Sequence, residues 1–268
     1  MVFQEYAVFY DLLYQDKEYE KECTFIKNLL YRIAPKAKKI IEFGSGTGRH
    51  GRLLAETGYQ IQGIERSQQM IDIGKACEST TSSQRSPSDG FFSCTRGDAL
   101  TTKVGSEFDV ALALFHVFSY QTKDEQAMGM LFNAFRHLKD GGVFILDYWH
   151  APAVHHIVPE TRVKHVMNDV LAITRIAEPD YTPHSNHIDV NYLTYAEDLA
   201  SGEIQKTKEC HAMRAFEIHE IEQFAKKCGF DLIKSAGWMS STLPDRKTWG
   251  AYSILQKKPS NEFSKISY

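Results

Sequence analysis

The chain reads as an α/β protein: an open, mainly parallel sheet wrapped by helices, with an inserted antiparallel β subdomain. Three observations predict this. Short apolar runs alternate with helical stretches between residues 39 and 149, the rhythm of a doubly wound sheet. A glycine cluster, "GSGTGRHG", closes the first apolar run. After Tyr148 the rhythm changes to long strand-like runs separated by Pro179, Pro183 and "DLASGE". At 268 residues, the chain suffices for one such domain with an added lobe.

The elements follow in order. Tyr6, Phe9, Tyr10, Leu13 and Tyr14 recur at helical spacing and predict an amphipathic helix with an aromatic stripe. A second helix runs over 19–33 and ends before Pro35. "KKIIEF" is a buried strand, followed by the glycine turn and a helix reaching Gly58. "YQIQGIE" is the second strand; the helix after it starts at Ser67, a natural N-cap. "STTSSQRSPSDG" is a polar loop, "FFSCTRGD" the third strand, and "FDVALALF" the fourth. A helix over 124–138, a "KDGG" turn and the strand "VFILDYW" complete the core. Three antiparallel strands are expected between 162 and 216: "RVKHVMNDVLAITRIAE", "HIDVNYLTYAE" and "EIQKTKECHAMRAF". "EIHEIEQFAKKCG" is a return helix, and "DLIKSAGW" and "WGAYSILQKK" are closing strands. The expected organisation is 1–34 helical, 35–150 core, 151–215 inserted β platform, 216–258 return to the core, and 259–268 a loose tail.

Composition narrows the function. Net charge is −3 and no basic stripe is present, which argues against nucleic acid and membrane surfaces as partners. Neither a signal peptide nor a membrane-spanning run is expected, and five scattered cysteines without CxxC fit a reducing, cytoplasmic setting. The densest histidine pairs, His155-His156 and His184/His187, lack HExxH form, so no metal is expected.

Glycines after a first strand let a ligand approach the backbone at a helix N-terminus. No lysine follows them, which excludes a Walker P-loop. Gly46, Gly48 and Gly51 satisfy the dinucleotide pattern GxGxxG, yet counted from the strand end the run is Gly44, Gly46, Gly48. Acids stand at neighbouring strand ends: Glu42 in the first strand, Glu65 ending the second, and Gly97-Asp98 after the third. Phe115-His116 follows the fourth. All face the crevice where open α/β sheets bind ligands.

This constellation resembles the class I S-adenosylmethionine-dependent methyltransferases, with their Rossmann-like sheet, over residues 35–150. "IIEFGSGTG", "GIERS" and "GD" look like that family's ordered motifs. The resemblance implies that Gly44 and Gly46 approach the methionine portion of S-adenosyl-L-methionine, that Glu65 grips ribose, that Asp98 binds the adenine amine, and that Met70 and Ala99 flank the ring. Glu42, Gly48, Arg66, Gly97 and Phe115 are further candidate cofactor contacts, and Tyr6, Tyr10 and Tyr14 are candidates for a lid helix over the cofactor. The flanks "YDLLYQDKEYEKE", "FHVFSYQT", "DYWHAPAV" and "ECHAMRAF" resemble the methyltransferases that dimethylate nucleotide-linked amino sugars; glycine N-methyltransferase is a more distant likeness. In that sugar family a polar aromatic residue after the fourth strand lies beside the substrate. Tyr120 matches it here, where relatives can carry His.

Transfer of an activated methyl needs alignment, and an amine must arrive neutral while a hydroxyl profits from a base. Catalytic candidates are His116, Tyr120, Tyr148 and His211. Arg175 and Arg214 are candidates for a phosphate or carboxylate, with Trp149 beside the acceptor. The expected product is S-adenosyl-L-homocysteine, and the protein is expected to be a monomer or homodimer. O-methylation, an NAD(P)-dependent oxidoreductase and a non-catalytic cofactor-binding protein stand as alternatives.

Overall fold

The computed structural model describes residues 7–79, 90–105 and 107–259, without the side chains of 77–79. Tyr6, most of the expected polar loop and nearly all of the expected tail lie outside the described residues.

Strands β1 (Lys39–Phe43), β2 (Gln60–Glu65), β3 (Phe91–Arg96), β4 (Phe108–Ala113) and β5 (Leu138–His150) pair in parallel in the order β3-β2-β1-β4-β5. All six residues of β4 are buried, as befits a central strand covered on both faces. Side chains alternate across the sheet and so build two cores. On one face Ile41, Phe43, Phe144 and Leu146 pack with Met130 and Ala134 of helix α5 (Asp124–His137). On the other, Ile40, Val110 and Ile145 meet Ile26 and Leu30 of α2 (Tyr19–Ile33) and Leu54 of α3 (Arg49–Ala55). Helix α4 (Gln68–Ser79) starts as expected, with Ser67 Oγ accepting from Met70 N–H at 3.3 Å.

Three elements differ from the sequence expectation. The single strand expected over 162–178 is a hairpin, β6 (Arg162–Met167) and β7 (Leu171–Tyr181). Asn168 Oδ1 accepts from the N–H groups of Val170 and Leu171, an Asx turn that reverses the chain. The platform therefore has four strands, with β8 (His187–Asp198) and β9 (Ile204–Phe216). The "KDGG" turn lies inside β5 as a bulge: the register steps from Phe108↔Leu138 to Val110↔Val143, with Gly141 at φ 75°. A helix, α6 (Ala151–Ile157), intervenes after β5 with a proline in its first turn.

The chain returns through α7 (Ile218–Lys227), where Glu217 N–H is capped by Glu220 Oε2 at 2.8 Å. Strand β11 (Gly250–Lys257) lies antiparallel to both β5 and β10 (Phe230–Gly237). The tip of β5 also pairs with the end of β9, Trp149↔Ala215 and His150↔Phe216. The antiparallel platform is thus hydrogen-bonded to the core sheet at the tip of β5. Helix α1 (Ala7–Leu13) buries Phe9 and Leu13 against Ile173 and Ala196 of the platform.

Candidate cofactor and acceptor site

The glycine turn divides its labour. Gly44, Gly46 and Gly48 all have positive φ (65°, 57° and 79°), a region that L side chains rarely adopt. A Cβ on Gly44 would lie 2.8 Å from the Val117 side chain, and on Gly48 or Gly51 within 2.4 Å of the Phe92 ring. Those glycines serve packing. A Cβ on Gly46 would meet nothing within 4 Å, so this is the position whose backbone opens to a ligand. A cavity of about 230 Å³ adjoins it, lined by Gly46, Thr47, Ile71, Gly74 and Cys94 among others.

The three acids have different environments. Glu65 is buried at the tip of β2, its carboxylate accepting from Gly46 N–H at 3.0 Å and Ser67 N–H at 2.7 Å. It therefore shapes the loop as well as standing at the predicted ribose position. Burial raises its pKa, against those hydrogen bonds. Asp98 accepts from Leu100 N–H at 2.8 Å and from Arg66 Nη2 at 2.6 Å, so Arg66 and Asp98 bracket the rim together. Gly97 N–H is held by Glu65 C=O at 2.8 Å, Ala99 is half-buried beside Asp98, and Met70 is buried on α4. Glu42 is buried behind the turn, and its Oε2 has no hydrogen-bond partner. Burial pushes its carboxyl up to about 8; Arg52 opposes the shift and Glu65 adds to it. An orphaned buried acid beside an open glycine backbone suits a cofactor whose amino-acid end carries an ammonium.

Two residues at the β4 tip are held in a left-handed backbone, Phe115 at φ 62° and His116 at φ 61°. Asp147, buried on β5, accepts the His116 backbone N–H at 3.0 and 3.1 Å and lies 2.9 Å from its Nδ1. Asp147 was not singled out from sequence; an acid at the fifth strand's end was the available signal. Tyr14 packs edge-on to Phe115 at 5.1 Å and against Tyr10 at 4.7 Å. Lys17 Nζ lies 4.4 Å over the Phe115 ring and pairs with Glu22. His50 Nε2 is 2.7 Å from Glu22. Burial keeps His50 below its ordinary pKa, while His50 and Lys17 outweigh burial at Glu22 and bring it to about 2.

The platform continues this wall. Arg175 Nη1 donates to Tyr14 Oη at 3.0 Å, and its guanidinium stacks 5.1 Å from the Tyr192 ring. Tyr192 lies edge-on to His211 at 4.6 Å. His211 Nδ1 is 2.8 Å from Tyr120 Oη, at the end of a 3₁₀ turn (Val117–Tyr120), and Tyr120 packs in one cluster with Trp149 and Trp249. A continuous line of side chains therefore leaves the β4–α5 connection at Phe115 and returns to it at Tyr120.

Two candidates are displaced from this wall. Tyr148 points into the main core, fully buried, with its hydroxyl 3.0 Å from Ser253 Oγ. Alternation along β5 places it opposite Asp147, so it cannot serve the reacting groups. Arg214 faces away from His211 and is ion-paired with Asp124 at 2.7 Å and Glu220 at 2.8 Å. It ties β9 to α5 and α7 and is not available to a substrate anion. His155 hydrogen-bonds Tyr181 and Asn186, and His187 Nε2 donates to the Thr122 carbonyl. Among the described residues no cluster of three or more His, Cys, Asp or Glu could hold a metal ion, and no helix is long and apolar enough to cross a membrane.

Residues 40–142 match a family model described as "Methyltransferase domain". The chain is similar to the dTDP-3-amino-3,6-dideoxy-alpha-D-glucopyranose N,N-dimethyltransferase of Streptomyces fradiae, 23% identical over 85% of this chain and 84% of that protein. Its fold is that of an S-adenosylmethionine-dependent methyltransferase from Clostridium acetobutylicum ATCC 824 (TM-score 0.76, 16% identity, 94% and 97% coverage). It is also that of the SAM-bound amino pentose methyltransferase CalS10 from Micromonospora echinaspora (TM-score 0.70, 18% identity, 96% and 98% coverage). The matched domain, the sheet order and the acids around an open glycine turn lead to one conclusion: the protein is an S-adenosylmethionine-dependent methyltransferase of class I.

Proposed function

We propose that the enzyme N-methylates a small amine, most concretely the amino group of a nucleotide-linked sugar. The observation that carries this reading is the wall from Tyr14 through Arg175, Tyr192 and His211 to Tyr120. It combines aromatic faces, one guanidinium and hydroxyl and imidazole groups beside the β4 tip, a lining suited to a polar, partly anionic small molecule. The names of the similar S. fradiae and M. echinaspora proteins, an amino-sugar dimethyltransferase and an amino pentose methyltransferase, point the same way.

In this reading Gly46 and Glu42 hold the methionine end of the cofactor, in a turn whose shape Gly44 and Gly48 maintain by packing, while Glu65 and Arg66 hold the ribose, and Gly97, Asp98, Ala99 and Met70 the adenine. The bound cofactor supplies a methyl group on a positively charged sulfur, already activated for displacement. The chain's own residues orient the acceptor and exclude water: Tyr10 and Tyr14 cover the site, Phe115 and His116 fix its floor, and Trp149 and Arg175 position the acceptor. Arg175 reads a phosphoryl or carboxylate group.

Thermal shift is the first test: S-adenosylmethionine and S-adenosylhomocysteine should stabilise the protein, and NAD(P) should not. Then dTDP-linked 3-amino sugars are offered beside their 3-hydroxy counterparts, with S-adenosylhomocysteine release as readout. Turnover confined to the hydroxy compounds would replace the amine reading with O-methylation.

A further inference from the structure

We propose that Glu209, His211 and Tyr120 form a proton relay on the acceptor side, with Tyr120 facing the acceptor and Glu209 as a positioning residue. The proposal deepens the amine-methylation reading and rests on it for the identity of the acceptor. Glu209 and His211 are two apart on β9 and so share one face. His211 Nε2 is 3.1 Å from Glu209 Oε2, and Nδ1 is 2.8 Å from Tyr120 Oη. The His211 and Glu209 side chains are only 3% and 8% exposed. An ionised carboxylate only accepts, so the Nε2 proton points to Glu209 and Nδ1 is left to accept from the Tyr120 hydroxyl. Tyr192 from β8 packs edge-on to the ring, with Arg175 of β7 beyond it. Among the described residues, one carboxylate, two phenols and, at second remove, one guanidinium face His211 from its neighbours.

Methylation of a neutral amine leaves a methylammonium with one proton more than the neutral product. An acceptor arriving as ammonium carries the same surplus beforehand. In either case the N–H proton passes to Tyr120 Oη as the Tyr120 proton passes to His211 Nδ1. The imidazolium is held against Glu209 until the proton leaves to solvent. No oxidant, metal or further reactant is needed.

The test has two arms. With ¹⁵N-labelled protein bound to S-adenosylhomocysteine, imidazole nitrogen shifts assigned with His211→Gln should show Nε2 protonated and Nδ1 bare. Glu209→Gln should mix the two tautomers. Protonated Nδ1 in the wild type, or no change in Glu209→Gln, overturns the relay, and this arm needs no acceptor. With a methylated amine in hand, Glu209→Gln and Tyr120→Phe should each lower kcat about 100-fold at pH 7. KM for the cofactor should stay unchanged, and the deficit should close as the pH is raised and the amine loses its proton to bulk base. The double variant should lose no more than either single one. A deficit that is the same at all pH values marks a structural role and overturns the proposal. If no amine is turned over, the amine reading falls and the tautomer arm still decides the relay.

Discussion

Thr47 Oγ1, in the glycine turn, donates to Asp11 Oδ1 on helix α1 at 3.0 Å. This bond fastens the N-terminal helix to the glycine turn proposed to meet the cofactor, while Arg175 fastens the Tyr14 end to the platform. The N-terminal segment therefore has two anchors on two different parts of the fold. Asp11→Ala should release the cofactor-side anchor alone. S-adenosylhomocysteine affinity should fall about 5- to 20-fold, one to two kcal/mol for a lost hydrogen bond at a half-buried site, mostly as faster dissociation. Stopped-flow release and amide exchange along α1 check this; slower exchange in the variant would contradict it.

Glu42 carries a stability cost, which the ammonium of a bound cofactor is expected to relieve. Its pKa is raised to about 8 in the fold against 4.5 as an ordinary carboxyl, so between these values the folded state holds more protons than the unfolded one. Stability from this group therefore falls as pH rises from about 4.5 to about 8. Glu42→Gln should stabilise the cofactor-free protein by about 1–3 kcal/mol at pH 8 and by little at pH 5. The same change should weaken S-adenosylmethionine binding. Melting at the two pH values and calorimetric titration read the opposite signs, and a variant less stable at pH 8 would refute the account.

Glu65 should behave otherwise. Its carboxylate already accepts two backbone N–H groups from the loop, so Glu65→Ala removes both the proposed ribose partner and the brace on Gly46. The ligand-induced thermal shift should disappear at ligand concentrations that saturate the wild type, while Glu65→Gln should keep part of it. A full shift in Glu65→Ala would remove this residue from the cofactor site.

The two platform arginines should separate in kinetics and stability. Arg214→Ala leaves Glu220 without its cation and should cost about 2–4 kcal/mol of stability, with acceptor KM little changed. Arg175→Ala should raise the acceptor KM at least 10-fold with a small change in Tm. Urea unfolding and steady-state kinetics on both variants test the contrast.

The parallel core was legible because its signals are local. Period, caps and glycines lie within single βα units, and Glu42, Gly46, Glu65 and Asp98 each stand at a strand tip that a short window locates. The four-stranded platform was only partly legible. Arg162 to Tyr181 is strand-like on both sides of its turn, and only the short polar pair Asn168-Asp169 marked the reversal between β6 and β7. Arg214 and Tyr148 show the limit of residue-type reasoning. Each is a chemically able group near the right strand tip, and each faces the wrong side of the sheet.

The sequence alone determined the α/β class, the cofactor crossover and the acids around it, because those depend on neighbours a few residues apart. Only the tertiary structure decided the pairings Asp11–Thr47, Asp147–His116 and His211–Tyr120, whose members are 36, 31 and 91 residues apart. The physical reason is that strand alternation assigns each side chain a face, while partnership across a cleft depends on sheet order, bulges and the parallel seam joining β5 to β9.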